Sequence, residues 1–368
     1  MVKTIKSKKS DLRELLNSAK ILPHYIGSQE KDSNILPPIA VEYHWCATCN
    51  YNCIHCSYSQ RRKNNKCLTQ EVVAKSVDDL IGLGVKAIYL SGGGEPSTFK
   101  NWDCYAQKLV DADIEMALIT NSIPLKENHY EMLRKFNYIA VSIYSTEESQ
   151  YKTITGSNCF EQQFALPMLL KNQNTELTVG ARCVINSINY QNIFNIYTKA
   201  IDSGFDYVIF IPAVDYEKNR IDLTEEQKQC VLEQIEKGLD KIDPANTNLL
   251  NIKANKISHY QKTYTDKLSN CDSCNSIKMR SNAFINYDGN VYLCQPLIGN
   301  EEYSIGNLNT DSFKNIWNSP RHLEVIANLN QRFAEGNCEN CRAIGYNIKI
   351  DEFLNKKEFS DIPKDNFL

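Results

Sequence analysis

The sequence predicts an α/β fold: a partial (β/α)6 TIM-like barrel followed by a small C-terminal domain of a β-hairpin and a helix. Three observations predict it. From Ile39 onward, apolar runs of strand length alternate six times with helical patterns. Such repeated βα units pair as a parallel sheet with right-handed crossovers. Six units fall short of the eight that close a full barrel. After Ser269 the alternation stops, and Asp288-Gly289 stands between two apolar runs, a strong hairpin signal.

The strands fall at Ile39–Trp45, Lys86–Leu90, Glu115–Thr120, Tyr138–Tyr144, Leu177–Ile185 and Tyr207–Ile211. Helices are expected at 69–83, 101–112, 126–136, 158–171 and 190–203. Thr69 and Asn101 are the N-caps of two of them, and Gly84 and Gly204 are C-terminal stops. Ahead of the barrel, residues 11–20 place Leu12, Leu15, Leu16 and Ala19 on one helical face, and a polar linker runs to Pro38. Beyond it, 224–240 and 250–263 are helical in pattern. Ser281–Tyr287 and Asn290–Leu293 form the hairpin, and a helix runs from Ser319 to Phe333 with Pro320 at its first position. The expected divisions are 1–37 (helix and linker), 38–215 (barrel), 216–268 (helical linker), 269–345 (C-terminal domain) and 346–368 (tail).

Composition narrows the function classes. Of 368 residues, 42% are hydrophobic and 23% charged, the balance of a globular chain rather than a disordered one. A net charge of −3 gives no global basic field for nucleic acid or anionic membrane, so neither is an expected partner. No long apolar run of transmembrane length occurs. Met1–Ser10 carries four lysines but no apolar stretch follows, unlike a secretory signal. A cytoplasmic protein is expected.

The fourteen cysteines are the anomaly. In a reducing compartment they are expected to be metal ligands or catalytic groups rather than disulfides. Nine fall into two groups: Cys46, Cys49, Cys53 and Cys56, then Cys271, Cys274, Cys294, Cys338 and Cys341. The other five (Cys67, Cys104, Cys159, Cys183, Cys230) are scattered, and burial as small hydrophobes is the default expectation for them. Cys49, Cys53 and Cys56 give the spacing C-x3-C-x2-C at the end of the first strand. Three thiolates on one loop can hold three irons of a [4Fe–4S] cube and leave the fourth open for a small chelating molecule. Zinc is the alternative reading. Structural zinc sites separate paired CxxC units by roughly a dozen residues or more, far more than here. Cys46 is more readily a buried apolar residue than a fourth ligand.

Cys49-Asn-Tyr-Asn-Cys53-Ile-His-Cys56 resembles the signature of radical S-adenosylmethionine (radical SAM) enzymes. Ser91-Gly92-Gly93-Gly94-Glu95-Pro96, at the end of the second strand, resembles the GGEP motif of that family. The resemblance implies that the open iron binds the amino and carboxylate groups of SAM, and that Gly93, Gly94, Glu95 and Pro96 lie along its amino group. Glycines there let backbone approach a ligand closely. It further implies that Asn121, Ser142, Arg182 and Asn186, at successive strand ends, hold the SAM carboxylate and ribose. Ser122 stands where the family carries glycine. His55 takes the position that touches adenine, and Ile211 and Pro212 match the adenine shelf loosely.

The C-terminal cysteines resemble the SPASM or twitch extension of the same family. The pattern runs Asp288-Gly289, strand, Cys294, Ile305-Gly306-Asn307, Ile316-Trp317-Asn318-Ser319, then Cys338-Glu-Asn-Cys341. No cysteine follows Cys341, which favours one auxiliary [4Fe–4S] cluster on Cys274, Cys294, Cys338 and Cys341. Four thiolates would close its coordination and suit it to electron transfer. Cys271 is left over or competes with Cys274, as a second-site ligand, a hydrogen-atom donor to a substrate radical, or an ordinary thiol. A zinc knuckle is the bland reading of this cluster. Asp215 and Tyr216, beyond strand six, are substrate-contact candidates or a solvated loop.

The resemblance implies reductive cleavage of SAM to methionine and a 5′-deoxyadenosyl radical, which abstracts a hydrogen atom from a peptide or a small polar metabolite. Oxidation, crosslinking or epimerisation would follow. An electron donor such as flavodoxin or ferredoxin is implied. The reading from another class is a non-catalytic iron–sulfur or zinc redox sensor or scaffold, which leaves GGGEP unexplained.

Overall fold

A computed structural model describes residues 24, 36–58, 65–171, 176–213, 221–254, 257, 274–338 and 347. The expected helix at 11–20, Cys271, Cys341, Asp215, Tyr216 and the tail apart from Asn347 lie outside the described residues. The strands are β1 (Ala40–Tyr43), β2 (Ala87–Leu90), β3 (Glu115–Thr120), β4 (Tyr138–Ser142), β5 (Thr178–Ile185), β6 (Tyr207–Pro212), β7 (Asn282–Ile285), β8 (Asn290–Tyr292) and β9 (Ser304–Asn307). They form one sheet in the order β6-β5-β4-β3-β2-β1-β7-β8-β9. β1 to β6 are parallel neighbours in chain order, the six-unit barrel wall that the alternating pattern predicts.

Period-2 alternation sorts each strand into two faces. Val41, Tyr43, Ile88, Leu90, Leu118 and Val141 point toward the helices and join the main core. Helix α1 (Gln70–Leu83) meets them with Val73, Val77 and Leu80. The opposite face carries smaller side chains: Ala40, Ala87, Ala117 and Ala140 pack with Tyr89 and Tyr138. Large and small residues alternate across the register there, with Tyr89 beside Ala117 and Ala117 beside Tyr138. Gly180 completes the pattern, because a Cβ on it would lie 1.9 Å from the Tyr207 ring.

Local chemistry sets the helix ends. Thr69 caps α1 by accepting from the Val72 amide at 3.2 Å, and Gly84 closes it at φ +76°. Asn101 stands at the N-cap position of α2 (Trp102–Asp111), at φ +56°, but makes no capping bond; its amide donates to Gln70 Oε1 at 3.0 Å instead. The expected helix at 126–136 is a 3₁₀ turn (Glu127–His129) followed by α3 (Tyr130–Leu133). The sequence pattern does not announce α4 (Glu148–Thr155), because its outward face is polar and only Tyr151, Ile154 and Thr155 are buried. The expected helix at 158–171 is a 3₁₀ turn (Glu161–Phe164) and α5 (Leu166–Leu170), with Pro167 in the first turn of the latter. α6 (Ile193–Asp202) and α7 (Glu225–Lys237) fall within the expected helices; α8 (Leu249–Ala254) covers the start of the one expected at 250–263, the rest of which, apart from Ile257, lies outside the described residues.

The C-terminal segment is joined to the barrel sheet. After α9 (Asn275–Met279), β7 pairs in parallel with β1, and β8 and β9 extend the sheet antiparallel. The turn uses Gly289 at φ +90°, where a Cβ would lie 2.4 Å from Asn309 Nδ2. α10 (Phe313–Trp317) is tied to the barrel: the Phe313 amide donates to Asp79 on α1 at 2.7 Å, and Trp317 Nε1 to the Leu36 carbonyl at 2.8 Å. α11 (Pro320–Ala334) is capped by Ser319, with Pro320 at its first position. Among the described residues no helix is long and apolar enough to cross a membrane.

Candidate active site

The loop after β1 carries the first cysteines. Cys49, Cys53 and Cys56, all half-buried, line one cavity of about 310 Å³ at the C-terminal ends of the strands. The loop is held on three sides. Trp45 and Ala47 bond to Leu68 and Lys66, which sets Cys46 opposite Cys67 in an antiparallel bridge. The Asn52 and Ile54 amides donate to the carbonyls of Thr155 and Ile154 at the end of α4. The Asn121 and Asn50 side-chain amides bond to each other, at 2.7 and 3.3 Å. Cys46 is buried, its thiol facing the Glu95 carbonyl and Thr98, and burial pushes its pKa up to about 11. It therefore behaves as the apolar residue expected of it.

The glycine turn after β2 packs against this loop. The Gly94 and Glu95 amides donate to the carbonyls of Cys46 and Thr48, each at 2.8 Å. A Cβ on Gly94 would lie 1.8 Å from the Thr48 carbonyl oxygen, and one on Gly93 2.5 Å from that of Cys46. Gly92 and Gly93 also have positive φ. The missing side chains of Gly93 and Gly94 thus make room for the cysteine loop, that of Gly92 makes room for the His44 ring, and all three glycines line the cavity.

Glu95 is buried and clamps β2 to β3. Its Oε1 accepts from Ser97 Oγ at 2.6 Å, the Ser97 amide at 3.3 Å and Thr120 Oγ1 at 2.7 Å, and Oε2 accepts from the Asn121 amide at 2.7 Å. Burial raises its pKa, and these four donors offset only part of that rise. His55 packs on the Tyr144 ring at 5.0 Å, and its buried Nδ1 has no hydrogen-bond partner. Burial lowers its pKa to about 4, so the ring is neutral. Ser142 and Arg182 are register neighbours at the ends of β4 and β5, and both line the cavity, as do Ile211 and Pro212.

Two expected contacts do not reach the cavity wall. Asn186 is fully buried: its Oδ1 accepts from the Ile188 and Asn189 amides, and its Nδ2 donates to the Val184 carbonyl. Its side chain shapes the turn after β5 and is not among the lining residues. Pro96 is the buried first residue of a 3₁₀ turn and likewise does not line it. Of the scattered cysteines only Cys183 is buried; Cys67 and Cys104 are exposed, and Cys159 and Cys230 are half-buried. Lining residues that the sequence reading missed include Glu42, Tyr58, Tyr89, Tyr144 and Gln295.

The donor set fits an iron–sulfur cube with a chelating ligand. Three thiols share one wall beside backbone turns, and His55 Nδ1 is a buried polar atom awaiting a partner. Among the described residues no three His, Cys, Asp or Glu side chains come together closely enough for a single metal ion. Residues 44–220 match the radical SAM superfamily, and residues 274–342 match SPASM, an iron–sulfur cluster-binding domain. The chain belongs to the radical SAM superfamily. This radical SAM protein is thus an enzyme whose cofactors are a [4Fe–4S] cluster and SAM, with auxiliary iron–sulfur binding in its SPASM domain. The sensor or scaffold alternative is set aside by the same match.

Solved structures share the fold. Polyhistidine-tagged anSMEcpe with bound AdoMet is 19% identical at a TM-score of 0.56, over 79% of this chain and 83% of that one. Native anSMEcpe with AdoMet and the Cp18Cys peptide is 18% identical at 0.55, with the same coverage. SuiB from Streptococcus suis, bound to its precursor peptide SuiA, is 13% identical at 0.59, over 84% and 69%. No curated protein matches the chain. In the SPASM region, Cys274 precedes α9 and Cys294 precedes the 3₁₀ turn Gln295–Leu297. The pKa of Cys338 is raised by burial first and then by the nearby Cys274, and Asn347 Nδ2 donates to Cys274 Sγ at 3.6 Å.

Proposed function

We propose that this radical SAM enzyme modifies a peptide, by oxidation, crosslinking or epimerisation, with Cys49, Cys53 and Cys56 holding the SAM-binding cluster. One auxiliary cluster would rest on Cys274, Cys294, Cys338 and Cys341. The observation that carries the reading is the convergence of the three thiols with Gly93, Gly94, Glu95, Ser142 and Arg182 on one cavity. The peptide is supported by the SPASM match and by fold neighbours described with bound peptides.

When bound there, the cluster and SAM would supply the radical chemistry needed to remove a hydrogen atom from an unactivated carbon. The chain's own residues do the rest. Glu95 fixes the ends of β2 and β3, and Oε2, accepting one amide, has a second lone pair for an ammonium group. Arg182 offers a guanidinium to a carboxylate. Neutral His55 offers Nδ1 to a donor, and its ring with Tyr144 gives a flat apolar wall. Tyr51, Tyr144, Tyr151 and Ile154 pack behind Cys49 and Cys53 and keep water off that side.

The test is deuterium transfer. The anaerobically reconstituted enzyme, a reductant, SAM and deuterated synthetic peptides encoded beside its gene are combined, and 5′-deoxyadenosine is analysed by mass spectrometry. The expected result is peptide-dependent deuterium in that product. Deuterium gained only from deuterated aminocyclitols or sugars would overturn the peptide reading.

A further inference from the structure

The cofactor-facing residues leave one wall of the cavity unassigned, on the side where β1 meets the C-terminal hairpin. Glu42 lines it from β1, and Gln295 lines it from the turn after Cys294. Glu42 Oε2 accepts from Gln295 Nε2 at 3.1 Å, and Oε1 accepts from His44 Nε2 at 2.8 Å. His44 Nδ1 faces Asn286 Oδ1 at 3.4 Å. Glu42 and His44 are 3% and 0% exposed, so the carboxylate is held in a nearly dry setting. The ring of His44 is itself fixed. Tyr58 meets it edge-on at 5.4 Å, and Gly92 leaves room for it, since a Cβ there would lie 2.0 Å from His44 Nε2.

Burying a carboxylate gives up its hydration and costs stability. The cost is met at a place where the carboxylate faces a cavity. Charge-assisted hydrogen bonds are about twice as strong as neutral ones, and more so in a low dielectric. Arg182 stands across the barrel: it lowers the pKa of the Tyr138 hydroxyl, whereas Glu42 raises it. The inner face therefore carries both signs, negative at β1 and positive at β5.

We propose that Glu42 is the substrate-docking carboxylate of this cavity, binding a primary ammonium or a hydroxyl group of the substrate, with His44 and Gln295 as its positioning residues. The inference rests on the reading that substrate and SAM share this cavity. It predicts selection against substrates that present an anion on this side. Gln295 follows an auxiliary-cluster cysteine directly, so the SPASM segment takes part in shaping the substrate wall.

The test uses the anaerobically reconstituted, cluster-loaded full chain and follows its unfolding midpoint. SAM is added first. No SAM-induced rise in the wild type would sink the shared-cavity reading itself. With SAM bound, three probes of equal length are titrated: butylammonium, 1-butanol and butyrate. Butylammonium is expected to raise the midpoint by about 2 °C at saturation and butyrate to leave it unchanged. A response to 1-butanol alone would assign a hydroxyl rather than an ammonium group. In Glu42→Gln the apparent affinity for the responding probe should fall about tenfold. Should Glu42→Gln not fold, Glu42→Asp keeps the charge but retracts it by one methylene and is expected to weaken the response partially. The inference is overturned if butyrate matches butylammonium, if no probe responds while SAM does, or if the folded variant keeps the wild-type response.

Discussion

Ser122 sits in the left-handed region at φ +67°, and its buried hydroxyl has no hydrogen-bond partner. Both features argue for glycine, the residue that the family carries there. Ser122→Gly should stabilise the fold by about 1 kcal/mol, read as a rise in the denaturant midpoint at unchanged slope. Gly94 is the opposite case. Its missing Cβ is taken by the Thr48 carbonyl, a backbone group that cannot turn aside. Gly94→Ala should push the cysteine loop out of place and reduce iron bound at Cys49, Cys53 and Cys56, measured against the auxiliary iron in the same sample. Residues of this kind were legible as motif members, but what they touch was not. Gln295 and Glu42 are 253 positions apart, and nothing in either local sequence announces the other.

At the scale of elements, α11 carries a pH dependence. His322 is fully buried against Trp317, with ring centroids 4.4 Å apart. Burial lowers its pKa from 6.5 to about 4. The unfolded chain therefore takes up a proton below pH 6.5 that the folded chain refuses until about pH 4. Stability is full above that window and is lost as the pH falls through it. Between pH 7 and pH 5 the loss attributable to His322 should be about 2 kcal/mol, and His322→Phe should flatten that slope in denaturation series. The strands were legible because period-2 apolar runs survive burial on both faces. α4 was not, since most of its surface is polar, yet it holds the cysteine loop through the carbonyls of Ile154 and Thr155. The hairpin was legible from Asp288-Gly289, but its parallel docking on β1 depends on a pairing that no local pattern encodes.

At the scale of the molecule, one sheet links the barrel to the SPASM segment through β1 and β7. Loss of an auxiliary ligand should therefore leave the barrel folded. Fully loaded wild type should hold about eight irons, and Cys294→Ala about four, by metal analysis. The central claim is that Cys49, Cys53 and Cys56 build a SAM-cleaving centre. Its most direct test is reductive formation of 5′-deoxyadenosine from SAM without oxygen, comparing wild type with Cys53→Ala. The account predicts product from the wild type and none above background from the variant. Equal product from both, or none from an iron-loaded wild type with SAM and substrate bound, would contradict it.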